Sequence, residues 1–117
     1  MKAYKDNIER VTLDNKFYRK VLFTTKQMQL VVMYIPTGEE IGVEIHKSST
    51  QFIRIEAGTG VARIGNKRYN LKAGDAVVIP SGIKHDIIAT NNLQLYTLYA
   101  PPQHPPNTKE HNKEPVS

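Results

Sequence analysis

Residues 74–89 read Gly74-Asp75-Ala76-Val77-Val78-Ile79-Pro80-Ser81-Gly82-Ile83-Lys84-His85-Asp86-Ile87-Ile88-Ala89 and carry the strongest folding signal in this 117-residue chain. The stretch opens on a turn, Ala73-Gly74-Asp75, and runs through four apolar residues. It breaks at Pro80-Ser81-Gly82 and resumes as a second extended run over 86–89. Proline cannot donate to a ladder and glycine supplies turn geometry cheaply, so the pattern predicts strand, turn, strand. His85 stands at the head of the second strand.

The same grammar repeats on both sides. Extended runs are expected over residues 29–35, 41–45, 52–55, 60–64, 67–71, 76–79, 86–89 and 93–99. Pro36-Thr37-Gly38, Gly58-Thr59-Gly60 and Asn91-Asn92 separate some of them, and Gly65-Asn66 between Ile64 and Lys67 is a good two-residue hairpin loop. Strands recurring at short, even spacing argue for an antiparallel sandwich or barrel. No long helix is expected: residues 7–19 have scattered apolar positions mixed with Val11, Thr12 and Phe17, which leaves a short helical turn or an edge strand there. After Tyr99, Ala100-Pro101-Pro102-Gln103-His104-Pro105-Pro106 leads into a polar end that predicts an extended, partly disordered arm. The chain thus divides into an N-terminal strand or arm over 1–27, a barrel over 28–100 and a Pro-rich tail over 101–117.

Length suits one domain with one core. The formal charge of +5 is concentrated at one end: residues 1–26 carry seven Lys or Arg against three acids, whereas 27–100 carry seven against six. A basic stripe for a phosphate backbone would recur through the folded part, so no specific nucleic-acid partner is expected. The absence of Cys excludes disulfides, thiolate ligands and a Cys nucleophile. The first residues lack the apolar stretch of a secretion signal, and no run approaches the roughly 18 apolar residues of a spanning helix. A cytoplasmic protein without a membrane partner is expected.

In a strand, side chains two apart share a face, so Glu44 and His46 would point one way while Val43 and Ile45 point the other. Gln51 follows the Lys47-Ser48-Ser49-Thr50 turn, which would let its carbonyl oxygen return toward the same centre. Taken singly, each of these residues, and His85, also fits an ordinary structural role.

Together with the glycines and Pro80 they resemble the cupin superfamily, whose motifs read G-x5-H-x-H-x3,4-E-x6-G and G-x5-P-x-G-x2-H-x3-N. Gly38, Glu44, His46, Gln51 and Gly58 follow the first spacing; Gly74, Pro80, Gly82, His85 and Ala89 follow the second. The motifs lie 15 residues apart, and the resemblance covers about residues 28–100. The end of the barrel and the Pro-rich segment are similar to small cupins often labelled phosphomannose isomerase-like. Three positions depart from the pattern: Glu44 stands where a His is usual, Gln51 where a Glu is usual and Ala89 where an Asn is usual.

The resemblance implies an all-β fold, a small antiparallel double-stranded β-helix or jelly-roll barrel, holding one divalent metal ion (Mn, Fe, Ni or Zn) through Glu44, His46, Gln51 and His85. Two imidazoles, a carboxylate and an amide oxygen suit those metals, and two His with one carboxylate is also the set of non-haem iron oxygenases. It further implies a metal-dependent enzyme on a small polar substrate, sugar isomerisation or epimerisation slightly ahead of dioxygenation. A non-catalytic sugar-binding or small-molecule-binding module is the alternative, and a structural dimer without pocket chemistry a third. No catalytic residue is identified: Tyr34, Tyr69, Tyr96 and Tyr99 lie on strands without a secure phase, and His104 and His111 are expected to be solvated, with a lid role for His104 as the alternative. Small cupins usually pair, and Phe52 and Ile88 would face outward if Gln51, Ile53, His85 and Ile87 face in. A homodimer is therefore expected, with cover by the chain's own N-terminal residues as the other explanation.

Overall fold

Residues 2–113 are described in the computed structural model, and they form one short helix and seven strands. These are α1 (Ile8–Asp14), β1 (Arg19–Thr24), β2 (Gln29–Ile35), β3 (Thr50–Ile64), β4 (Lys67–Lys72), β5 (Ala76–Ile79), β6 (His85–Ala100) and β7 (Lys109–Glu110). The two long strands organise the rest. β3 and β6 run antiparallel from Thr50 opposite Ala100 to Ile64 opposite His85. Toward the first end, β5 flanks β3, and β2, β1 and β7 extend the sheet beyond β6. Toward the other, β4 flanks β3 while Glu40 and Glu44 bridge to Ile88 and His85. The sheet so folds over on itself, giving the all-β double-stranded β-helix read from the sequence.

Two turns expected in the sequence are not chain reversals. The runs 52–55 and 60–64 join into β3, and 86–89 and 93–99 join into β6. At Gly58-Thr59-Gly60 and Asn91-Asn92 the pairing shifts register three times, between Ile55 and Ala57, Ala57 and Thr59, and Thr59 and Gly60. Bulges of this kind bend and twist a strand without ending it. Gly58 takes φ +89°, and a Cβ there would lie 2.0 Å from the Asn92 carbonyl oxygen, so the bend needs a residue without a side chain. The Gly65-Asn66 hairpin forms as expected, with Ile64 paired to Lys67.

The strand expected over residues 41–45 is absent. Gly42 takes φ +99° and its N–H is turned onto the Asp86 carboxylate at 2.9 Å, which leaves isolated bridges at Glu40 and Glu44 instead of a ladder. Alternation survives nonetheless: Val43 and Ile45 are 61% and 52% exposed, while His46 is 6% exposed.

The core follows the period-two rule. Val31, Met33 and Ile35 of β2, Ile53 and Ile55 of β3, and Ile87, Ala89, Leu93 and Leu95 of β6 form one buried cluster. Each fully buried Leu or Ile contributes roughly 1.5–3 kcal/mol of transfer free energy. The N-terminal ambiguity resolves as a helix followed by a strand. Asn7 caps α1 by accepting the Arg10 N–H at 2.9 Å, and α1 packs beside β6, where Gln94 Nε2 donates to the Leu13 carbonyl at 2.7 Å. Part of the sheet's outer side is thereby covered by the chain itself.

The segment after β6 stays on the barrel. β7 pairs with β1, and the Val21 N–H donates to the Thr108 carbonyl at 2.9 Å. The disordered end expected from the sequence falls partly on residues 114–117, which lie outside the described residues.

Candidate metal centre

Glu44, His46 and His85 each bring one ligand atom into a group whose members all lie within 4.8 Å of one another. The bend before Glu44 and the start of β6 are what bring them together. The His46 and His85 rings are 5.0 Å apart between centroids, and His46 Nε2 stands 4.0 Å from Glu44 Oε1, too far for a hydrogen bond. His85 Nδ1 lies 2.9 Å from the Ile83 carbonyl oxygen; a carbonyl only accepts, so Nδ1 carries a proton, and in the neutral ring this tautomer puts the lone pair on Nε2. Gln51, inward-facing on β3, spends its Nε2 on Thr97 Oγ1 at 3.0 Å and leaves Oε1 without a partner.

His46 Nε2, His85 Nε2 and Gln51 Oε1 are all buried with no hydrogen-bond partner. Unpaired buried polar atoms are few in folded proteins; Arg19 Nε and Arg54 Nε are also unpaired, but these three are nitrogen and oxygen atoms of the kind a borderline divalent cation binds. Residues and group therefore fit.

The electrostatics point the same way. Burial raises the Glu44 carboxyl, with Arg19 and His85 opposing it. Burial lowers the His46 imidazole, and His85 and Arg19 lower it further. Both groups shift toward their neutral forms, which weakens ion pairing across the 4.0 Å contact. A metal would take the neutral imidazole as it stands and displace a proton from any Glu44 that carries one.

Sequence reasoning missed the second half of the surroundings. Tyr99 is buried and inward, its ring edge-on to His46 at 5.5 Å, whereas Tyr96 faces outward against Phe52 and Tyr69 is exposed. In Leu93-Gln94-Leu95-Tyr96-Thr97-Leu98-Tyr99 both phases contain Leu and Tyr, so hydropathy alone could not choose. Arg19 Nη1 meets Glu110 Oε1 at 2.7 Å, and the two side chains are only 11% and 22% exposed. No sequence pattern joins residues 91 positions apart.

His104 is not solvated. Its ring packs edge-on to Tyr99 at 5.2 Å, its Nε2 is buried, and burial with Arg19 and His46 beside it pushes the imidazole down to about 4. His111 is exposed and its ring packs tilted against Phe17, 4.7 Å between centroids. A surface cleft of about 590 Å³ between the N-terminal segment and β1, lined by Tyr4, Arg10, Phe17 and Lys20 among others, contains none of the clustered ligand atoms. No helix among the described residues is long and apolar enough to cross a membrane.

Comparison with known proteins agrees with the geometry. The family model described as Cupin domain matches residues 31–99. The uncharacterized protein YrkC of Bacillus subtilis is 40% identical over 120 residues, covering 96% of this chain, and this chain spans 64% of that protein's length. The uncharacterized protein L612 of Acanthamoeba polyphaga mimivirus is 42% identical over 110 residues, with 89% of this chain and 69% of that protein covered. Among solved structures, the crystal structure of BH2720 from Bacillus halodurans superposes with a TM-score of 0.92 at 35% identity, covering 96% of this chain and 91% of that one.

Proposed function

The chain belongs to the cupin family, and from that premise we propose that it binds one divalent metal ion through Glu44, His46, Gln51 and His85 and acts on a small polar substrate. The observation that carries this reading is the convergence of Glu44, His46 and His85, with both imidazole Nε2 atoms buried and unpaired; Gln51 is included for its place in the family's spacing and its unpaired buried Oε1. When bound, the metal would supply Lewis-acid polarisation of a substrate oxygen or a lowered pKa for water. The chain's own residues fix the ligand atoms, hold His85 in one tautomer through the Ile83 carbonyl, and wall the centre with Tyr99. Sugar isomerisation or epimerisation stands slightly ahead of dioxygenation, by analogy of fold. Elemental analysis of protein expressed in metal-replete medium, wild type beside His46→Ala and His85→Ala, tests it. Near-stoichiometric metal lost in both variants supports the four-ligand centre, and iron would direct assays toward oxygenation; a wild type that holds none after reconstitution overturns it.

One observation favours a second reading, a non-catalytic module that binds a small molecule. Gln51 contributes a neutral amide where the family's pattern has a carboxylate, which leaves the centre one charge less negative. Retained metal with no turnover of any hexose phosphate or oxygen uptake would support that module.

The protein is proposed to act as a cytoplasmic homodimer. Phe52 and Tyr96 pair at 6.3 Å on the outer face of the sheet, and Val78 beside them is 58% exposed. Sedimentation that finds only monomer at micromolar concentration would remove the dimer.

A further inference from the structure

Another unpaired buried imidazole nitrogen lies on the tail, one aromatic ring away from His46. His104 Nε2 is buried without a partner, and its ring shares Tyr99 with His46: the tyrosine meets one imidazole edge-on at 5.2 Å and the other at 5.5 Å. His104 stands outside the cluster of ligand atoms formed by Glu44, His46 and His85.

What holds it there is unusually complete. Gln29 is fully buried, and all four hydrogen-bonding positions of its amide are used. Its Nε2 donates to Thr24 Oγ1 at 3.0 Å and to the His104 carbonyl at 2.7 Å, while its Oε1 accepts the N–H of Gln103 at 3.2 Å and of His104 at 3.0 Å. Three of those four bonds fix the backbone of residues 103 and 104. Further along, the Arg19–Glu110 ion pair and β7 pin the tail to β1. A core position that could hold a Leu instead holds a saturated amide whose bonds place one histidine, and that histidine's buried Nε2 is left unpaired.

We propose that His104 is a substrate-contacting residue of this centre, its Nε2 accepting a hydrogen bond from an O–H or N–H group of the molecule bound there, with Gln29 as its positioning residue. The proposal rests on the metal-centre reading above. The imidazole is neutral at cellular pH, so one ring nitrogen is free to accept.

Cobalt(II)-loaded protein, with visible absorption as readout and acetohydroxamate as probe, tests this, because the probe binds metal through oxygen and carries an N–H donor. His104→Leu and Gln29→Leu should each weaken the probe by about tenfold, the size of one buried hydrogen bond, while cobalt affinity stays within about threefold of wild type. Unchanged probe affinity in both variants overturns the inference and leaves the metal centre intact. So does a wild-type centre that holds cobalt but excludes the probe. Loss of cobalt from His104→Leu would make His104 a ligand and also overturn it, whereas a wild type that takes up no cobalt removes the metal-centre reading and this one with it. Should the variants fail to fold, the ¹⁵N resonance of His104 Nε2 in zinc-loaded wild type decides: it shifts upfield on adding acetohydroxamate if the contact forms and stays put if it does not.

Discussion

Glu44 and His85 exchange both backbone hydrogen bonds, the Glu44 N–H donating to the His85 carbonyl at 2.8 Å and the His85 N–H to the Glu44 carbonyl at 2.9 Å. This reciprocal pair is an isolated bridge rather than part of a ladder, and it joins segments 41 positions apart. Residues directly opposite in an antiparallel pair project to the same side, so the carboxylate and the imidazole are brought together by backbone geometry before any ion is present. The centre is therefore preorganised, and changes to its side chains should act on affinity more than on folding.

Charge is the first such change. Gln51→Glu adds the carboxylate that the family's pattern places there, and Thr97 can reverse its role, its hydroxyl donating to the new carboxylate. Metal affinity should rise by about ten- to a hundredfold, or roughly 1.4–2.8 kcal/mol, and Glu44→Gln should lower it comparably. Competition against a chelator of known affinity reads both. Equal affinities for wild type and Gln51→Glu would place the amide outside the coordination sphere.

Much of this was legible in the sequence, and the limits were physical. The motif glycines Gly38, Gly58, Gly74 and Gly82 all take positive φ, which is why their spacing announces the fold. Glu44, His46 and His85 converge because their spacing encodes one bend and one strand start. Gly58-Thr59-Gly60 and Asn91-Asn92 misread as turns because a bulge and a chain reversal demand the same residues. Gln29, Arg19, His104 and Glu110 were invisible as a group, since their association depends on where a Pro-rich tail docks, and nothing local specifies that.

Metal-free protein should lose stability as pH falls from 6.5 toward 4. His104 is lowered to about 4 in the folded state, so the unfolded chain takes up its proton first; the contribution is fully present above 6.5 and is lost progressively below it. His46 is lowered too and acts in the same direction, while Glu44, raised by burial, opposes both. Discounted for partial exposure, the His104 share is on the order of 1–2 kcal/mol. Urea unfolding at pH 7 and 4.5 should show a smaller drop for His104→Gln than for wild type, and equal drops would refute the assignment.

The tail's anchor makes a separate prediction. Glu110→Gln leaves the Arg19 guanidinium mostly buried beside a neutral amide, a change that costs several kcal/mol at fully buried pairs and about 2 kcal/mol at this partly exposed one. Because β7 and the Val21 N–H to Thr108 bond lie next to it, hydrogen exchange at Val21 should accelerate while that at Val31 in β2 stays slow. Acceleration spread evenly over both strands would mean the pair stabilises the whole barrel rather than its strap.

Two glycines separate backbone strain from collision. Gly74 takes φ +94° with nothing within 4 Å of an added Cβ, so Gly74→Ala meets only the cost of a left-handed backbone, about 1–2 kcal/mol. Gly58 has the same handicap at φ +89°, but its Cβ would also lie 2.0 Å from the Asn92 oxygen and 2.7 Å from the Asn92 carbonyl carbon, both backbone atoms of the opposing long strand. Nothing flexible can yield there, and Gly58→Ala should cost more than about 3 kcal/mol, with β3 and β6 forced apart where they change register. Denaturant unfolding of the two variants side by side reads the difference. If Gly58→Ala costs no more than Gly74→Ala, the close approach of β3 and β6 at the bulge is not what fixes the bend.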